Sequence, residues 1–510
     1  SFEWADPVSG VFDQASNWNR LSGTRDTPAA GDSAFFNEAG AYEVLFTAAE
    51  ETGVLNVDAG DVTFHGDLGS QTYTISGGGA EVNVSFGSLL DVDGVVTVGQ
   101  LSGTTSAINV DGQGSHIDFA DRLNLGAAQA TGTLTLSNDA TGVIAGAVNL
   151  ASSITNNVTG RLNVLSGATL ETGSIDVAAP LLIGSNLDGE LVVDGRSSRL
   201  TMTGAATLKI GKDGHSGTVI VSDEGDFSTG TGGTIVGNGG TLMIDGSAAA
   251  FDFFTEFDAN GGLVVNSGGA LTLQGASLRV TGDLDNTGGG AFDFRYGDIQ
   301  VSAGTFSPAN ATFTIASQVA DESLDLTLGN GSTWSNASTI AVGNSNAGSL
   351  FISGSGTVAT TMLAVRENGR LIMSFDSQLN TTSADVEGTA TIGSGSFFDT
   401  ATWTNTGRID VLGELTLRAG GEVVVGDLNP SGDGVVILDG GSIVATRIWD
   451  PVDFRRGSVT INSSVQIGGT GLQPFPSSLT LAPLQHLTTP DTTQIRRTFA
   501  LTLDGGSLLM

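Results

Sequence analysis

The chain has 510 residues, 54 acidic and 19 basic, for a net charge of -35. That balance excludes a nucleic-acid or anionic-membrane partner, because both require a basic face. The lack of cysteine excludes disulfides, thiolate metal sites and a cysteine nucleophile.

Glycine makes up 75 residues, about twice the usual ~7% share. Apolar residues are 39% of the chain, enough for a core that a disordered chain lacks. No apolar run approaches the ~18 residues of a membrane-spanning helix. The chain starts at Ser1 with no basic region and apolar core behind it. Either a signal peptide has been removed or the sequence begins here as a piece.

Residues 1–46 crowd together Phe2, Trp4, Phe12, Trp18, Phe35, Phe36, Tyr42 and Phe46. They read as an N-terminal aromatic cap over the first coil of a stacked fold. The alternative is a sugar-binding aromatic patch.

Residues 47–426 read as the repeat itself. An apolar run ends in glycine at Leu182-Ile183-Gly184, Lys209-Ile210-Gly211 and Ile235-Val236-Gly237. These glycines recur at an interval of about 27 residues, within the range of stacked repeats. An alternating strand follows each run: Glu190 to Val193, Thr218 to Val221 and Thr241 to Ile244. Val98-Gly99, Leu125-Gly126 and Val342-Gly343 continue the pattern. A period in this range with short strands between glycine turns predicts an all-β parallel β-helix, a β-solenoid of ~27-residue coils. Its hand is expected to be right-handed, as crossovers between parallel strands are. The interior is expected to be apolar, with Leu191, Val193, Val219, Val221, Leu242 and Ile244 divided between inner and outer faces by alternation.

The opening residues Asn17-Trp18, Pro28 and Asp32-Ser33-Ala34-Phe35, followed by the repeats at Gly184, Gly211 and Gly237, carry a resemblance. The chain resembles the β-solenoid repeat proteins of the autotransporter and PEP-CTERM-associated family, secreted bacterial surface proteins. The resemblance covers most of residues 1–425. It implies a secreted or surface-displayed solenoid and no particular activity.

A second aromatic group, Phe251, Phe253, Phe254, Phe257, Phe292, Phe294 and Tyr296, reads as larger side chains inside the same solenoid. A groove lined by outward rings is the alternative. Residues 427–510 hold six of the ten prolines and read as a C-terminal continuation with longer, Pro-rich loops. Arg455, Arg456, Arg496 and Arg497 make this end less acidic. The run to Met510 reads as a strand, a glycine turn and the start of another coil. Either the natural chain continues, or this end docks head-to-tail on another copy.

Chemistry on such a scaffold needs carboxylates stacked on one face of consecutive coils. Asp194, Asp223 and Asp245 are spaced for that, but each stands where a turn prefers aspartate. His65, His116, His215 and His486 lack metal-ligand spacing. Asp427, Asn429, Ser431 and Asp433 place oxygens at alternate positions, as calcium loops do. Pro430 interrupts that run, and Leu438 stands where the bidentate glutamate belongs. An ordinary turn is the plainer reading there, with calcium the candidate cation. The sequence therefore assigns no catalytic, cofactor-binding or metal-binding residue.

The leading expectation is a non-enzymatic extracellular structural protein, a fibre, stalk, surface layer or adhesin that self-associates head-to-tail. The alternative is a polysaccharide lyase or hydrolase, or a carbohydrate-binding protein, on the same scaffold. A groove with converging acidic and basic side chains would favour the enzyme.

Overall fold

The computed structural model describes residues 1–75, 79–127, 129–151, 158–177, 187–211, 215–247, 255–335, 338–392, 396–400, 408–411, 414–419, 421–430, 435–449, 452–462, 465–467, 479–489, 493–495 and 501–509. Among these residues there is no α-helix, and strands stack in parallel as a β-solenoid. No helix among them is long and apolar enough to cross a membrane. The chain divides into two compact units.

The first unit comprises Ser1–Val280 and Asn286–Asp293. Each of its regular coils has three sides. One coil is made by Thr105–Asp111, His116–Phe119 and Leu123–Leu125. These pair in parallel with Thr131–Ser137, Thr141–Ile144 and Val148–Leu150 of the next coil. Alternation makes the strands: in Thr105–Asp111, Ser106, Ile108 and Val110 face inward.

The first side shows why the coils must stack. Leu134, Leu162, Leu191, Val219, Leu242 and Leu271 stand in one column, each fully buried. Each such side chain contributes about 1.5–3 kcal/mol by leaving water, and only its neighbours in adjacent coils provide the cover. Leu191, Val193, Val219, Val221, Leu242 and Ile244 do not divide between faces. All six point inward, and Val192, Ile220 and Met243 take the outer face half-buried. Residues two apart share a face, which is why the six go together.

The repeat register holds at Gly211 and Gly237, since Ile210 pairs with Val236. It also holds at Gly99 and Gly126, through Val98 and Leu125. One coil earlier, the strand beside Lys209-Ile210 is Asp176-Val177 rather than Leu182-Ile183. Gly184 lies outside the described residues.

A second set of glycines sits inside strands. Gly132, Gly160, Gly189, Gly217 and Gly240 form one column at the start of the first side. A Cβ on Gly160 would come within 2.3 Å of the Leu125 carbonyl oxygen, and one on Gly240 within 2.1 Å of the Ile210 oxygen. The corner between third and first sides is therefore closed by backbone against backbone, which a side chain would prop open.

The opposite end of the first side is closed by buried hydroxyls. Ser88, Ser115, Ser198 and Thr255 are buried at the same corner of their coils. Each accepts a backbone N–H from the preceding coil's turn: Gly66 at 2.9 Å, Gly87 at 3.2 Å, Gly167 at 3.0 Å and Glu224 at 2.9 Å.

In residues 1–46, Phe2, Trp4, Phe12, Trp18, Phe36, Tyr42 and Phe46 are buried against one another, and Phe35 is half-buried. Trp4 and Trp18 meet edge-on at 4.9 Å. This burial leaves those rings closed to a sugar. Stacking reaches into this stretch, because Ala41–Leu45 pairs in parallel with Asp61–His65.

The second unit comprises Thr281–Asp285 and Phe294–Met510. Its core includes an aromatic group the sequence reading did not single out, with Phe306 4.9 Å from Trp334 and 5.1 Å from Phe313. Phe257 of the first unit and Phe294 of the second are buried, as larger side chains inside the solenoid should be, whereas Phe292 and Tyr296 are only half-buried. Phe251, Phe253 and Phe254 lie outside the described residues.

The coil length is not uniform. Thr105 stands beside Thr131 and Thr131 beside Thr159, so successive steps already differ. The step shortens from Gly348 to Gly369, and again from Val436 to Val452. The reason is a lost corner. Thr357–Val365 runs as one bent strand that pairs with both Thr333–Ser335 and Thr339–Val342, so no loop separates its second and third sides. Between 435 and 461 the coils are thus tighter, not looser, than the proline content implied. Pro430 is the last residue of a strand, Glu422–Pro430, and stands beside Val411 of the neighbouring coil.

Candidate functional site

The outward positions of the second side of the first unit carry the main charge cluster. Arg199, Asp226, Glu256 and Ser277 stand in one column. Thr201, Ser228, Asp258 and Arg279 stand in the next. Leu200, Phe227, Phe257 and Leu278 lie between the two columns and point inward, so the packing of the core fixes where the charges project. A groove of about 530 Å³ opens here, lined by Arg196, Ser197, Arg199, Glu224, Asp226 and Glu256.

Arg199 Nε lies 2.9 Å from Asp226 Oδ2, and Arg196 Nε lies 3.5 Å from Glu224 Oε2. Arg279 pairs with Glu256. Asp258 is half-buried beside them. Burial first, then the negative charges of Glu256 and Asp226, push its carboxyl up to about 6, against the pull of Arg279. A carboxyl in that range exchanges protons near neutral pH, which is what acid–base chemistry requires.

The aspartates picked out by spacing do not form this site. Asp194 stands in register with Ser222, and Ser222 with Asp245. Ser222 Oγ donates to Asp194 Oδ1 at 2.6 Å. Asp223 falls one position later, in the turn, with φ of 52°. The coil returns to its starting column at Ser222, 28 residues after Asp194, and that one-position difference accounts for the offset. Acidic side chains also stack outside this site: Asp91 stands beside Asp118, and burial followed by that neighbour raises the Asp91 carboxyl. Arg199 and Asp226, 27 residues apart, were findable from the period. The longer step from Asp226 to Glu256 was not.

The second unit has its own groove of about 500 Å³, lined in part by Glu422, Ser442, Arg456, Ser458, Leu484 and His486. Glu422, Ser442, Ser458, His486 and Ser507 form one column. His486 Nδ1 lies 2.6 Å from Ser507 Oγ. Glu422 is three strands away from His486, roughly 14 Å at ~4.8 Å per strand, so it does not orient the imidazole as a triad acid must. Arg456 donates to Asp439 at 2.6 Å and holds that carboxyl below its usual value.

The remaining histidines are separated. His116 Nδ1 meets Thr141 Oγ1 at 2.7 Å, His65 Nε2 lies 3.5 Å from Glu43, and His215 is buried. Asp427 and Asn429 belong to a strand rather than a turn, and Asp427 is paired with Arg447 at 3.0 Å. Ser431 and Asp433 lie outside the described residues, as do Arg496 and Arg497. Among the described residues, no group of three or more His, Asp or Glu side chains is arranged to hold a metal.

No protein-family model matches the chain, and no curated protein matches it.

Proposed function

We propose that this chain is a non-enzymatic extracellular structural protein, a secreted or surface-displayed solenoid that builds a fibre, stalk or layer or presents an adhesive face. The observation that carries this reading is the use made of its few basic side chains. Arg161 pairs with Glu190 at 3.1 Å, Arg199 with Asp226 at 2.9 Å, Lys209 with Asp176 at 3.4 Å and Arg366 with Asp385 at 3.0 Å. In each pair the partners sit on neighbouring coils, so the charges join coil to coil, and of these pairs only Arg199 and Asp226 also line the groove of the first unit. Each exposed pair contributes little, about 0–1 kcal/mol, but together they fix lateral register. The likeness of Asn17-Trp18 and Asp32 to Phe35 to secreted bacterial solenoids supports the location. Head-to-tail self-association belongs to this reading, since a net charge of -35 opposes side-by-side packing. Incubation with neutral and acidic polysaccharides should release no new reducing or unsaturated ends, and sedimentation should show assembly that grows with concentration. Turnover, or a strict monomer at high concentration, would count against it.

A second reading is favoured by one observation, the Asp258 carboxyl at about 6 beside Asp226 and Glu256. It makes Asp258 the general acid of a polysaccharide hydrolase with a second carboxylate as its partner. Turnover that disappears in Asp258→Asn would establish it over the first.

A further inference from the structure

Phe86 is 83% exposed and has φ of 58°. A bulky residue rarely adopts that left-handed backbone, and such strain persists only where the surroundings impose it. The imposing contacts are next to it. Ser88 Oγ donates to the Ser85 carbonyl at 2.5 Å and accepts from the Gly66 N–H at 2.9 Å, so the turn is clamped on both sides. The ring gains little from the core in return. It lies 5.0 Å from the His65 ring at a 33° tilt. His65 in turn pairs across the ladder with Leu45, which is 46% exposed.

Leu45, His65 and Phe86 thus occupy three successive coils at one corner of the first side. At ~4.8 Å per coil Leu45 and His65 stand in one column, and Phe86, one position past that column, lays its ring against the His65 imidazole, whose side chain is 19% exposed. Beside these side chains the outer face is polar. Asp61 and Glu81 share one column, and Glu43 and Asn83 flank Thr63 in the next. Asn83 Nδ2 donates to Asp61 Oδ1 at 2.5 Å, and Asn109 Nδ2 donates to Asn83 Oδ1 at 3.0 Å. The second unit has a ring in a similar turn. Phe375 is 71% exposed with φ of 56°, two positions before the buried Ser377, as Phe86 is two before Ser88.

We propose that Leu45, His65 and Phe86 form a stacking platform for a neutral polysaccharide. A group of three side chains is far smaller than the ~800 Å² a protein partner covers. A sugar ring needs less: a flat plate for its C–H face and oxygen or amide groups at the side for its hydroxyls. Glu43, Asp61, Asn83 and Glu81 supply those groups. The same carboxylates repel an anionic polymer, so the ligand is uncharged. This goes beyond the structural reading, which names no ligand, and it does not involve the Asp258 cluster.

The test is affinity electrophoresis of the full chain through gels containing a soluble β-glucan, xylan or mannan, with polygalacturonate as the anionic comparison. At least one neutral gel should retard the protein, and polygalacturonate should not. Phe86→Ala should weaken that retardation about tenfold or more, with an unchanged circular-dichroism spectrum, while Phe86→Trp retains it. His65→Ala should weaken it less. No retardation in any neutral gel, preferential binding to polygalacturonate, or full binding by Phe86→Ala would overturn the proposal.

Discussion

Ser198 Oγ accepts the Gly167 N–H at 3.0 Å and donates to the Asp194 carbonyl at 2.7 Å. Ser198 is fully buried. One hydroxyl thereby ties a turn in its own coil to a turn in the coil before, and it is the acceptor for a Gly167 N–H that lies outside any strand. Replacing it with alanine removes the acceptor of the Gly167 N–H, while the Asp194 carbonyl keeps the Ser166 N–H at 3.2 Å. Ser198→Ala should lower stability by about 1–3 kcal/mol, read as an earlier midpoint in urea unfolding. Ser198→Thr should recover most of that, because Thr255 fills the equivalent role in its own coil.

The glycine column gives a second expectation. Gly160→Ala forces a methyl to within 2.3 Å of both the Leu125 oxygen and the Ala151 nitrogen. Backbone cannot swing aside as a flexible side chain does. The cost should be about 1–3 kcal/mol or more. Gly69→Ala, where the nearest atom is 3.5 Å away, should be close to neutral in the same assay.

Leu242 and Met243 test the alternation directly. Leu242 faces the core at 0% exposure, and Met243 faces outward. Leu242→Ala should cost about 2–5 kcal/mol, and Met243→Ala well under half as much. Equal losses would mean that the strand does not alternate.

Asp258 predicts a pH dependence with a definite sign. Its carboxyl is raised from 3.8 to about 6 by burial, Glu256 and Asp226. Folding therefore favours its protonated form. That contribution is fully present below pH ~4 and is lost as pH rises through about 6. Asp258→Asn keeps the neutral shape at every pH. The variant should melt higher than the wild type at pH 8, and the gap should close at pH 5. A gap that widened on acidification would contradict the assignment.

Much of the fold was legible in the chain. The regular return of the glycine turns and the alternation in Glu190 to Val193, Thr218 to Val221 and Thr241 to Ile244 depend on local geometry alone. A strand shows its two faces in its own sequence, and a coil that cannot cover its own core must repeat. For the same reason the aromatic stretch at Phe2 to Phe46 could be read as buried. The glycines were only half legible: sequence marks Gly126 and Gly160 alike, yet the first ends a strand and the second lies within one, against another coil's carbonyl.

What the tertiary structure decided is register. Whether Asp194 meets Ser222 or Asp223 depends on a single residue of coil length, and a slip of one moves a side chain out of its column. The step from Val436 to Val452 is little more than half that from Thr159 to Asp188, so no fixed period could place Arg199, Asp226, Glu256 and Asp258 together. Neither could it show that Phe86 is left in water. Its neighbours Ser85, Gly87 and Ser88 read as an ordinary turn. The Ser88 hydroxyl, donating to Ser85 in its own turn and accepting the Gly66 N–H of the coil below, clamps that turn and holds the ring outward.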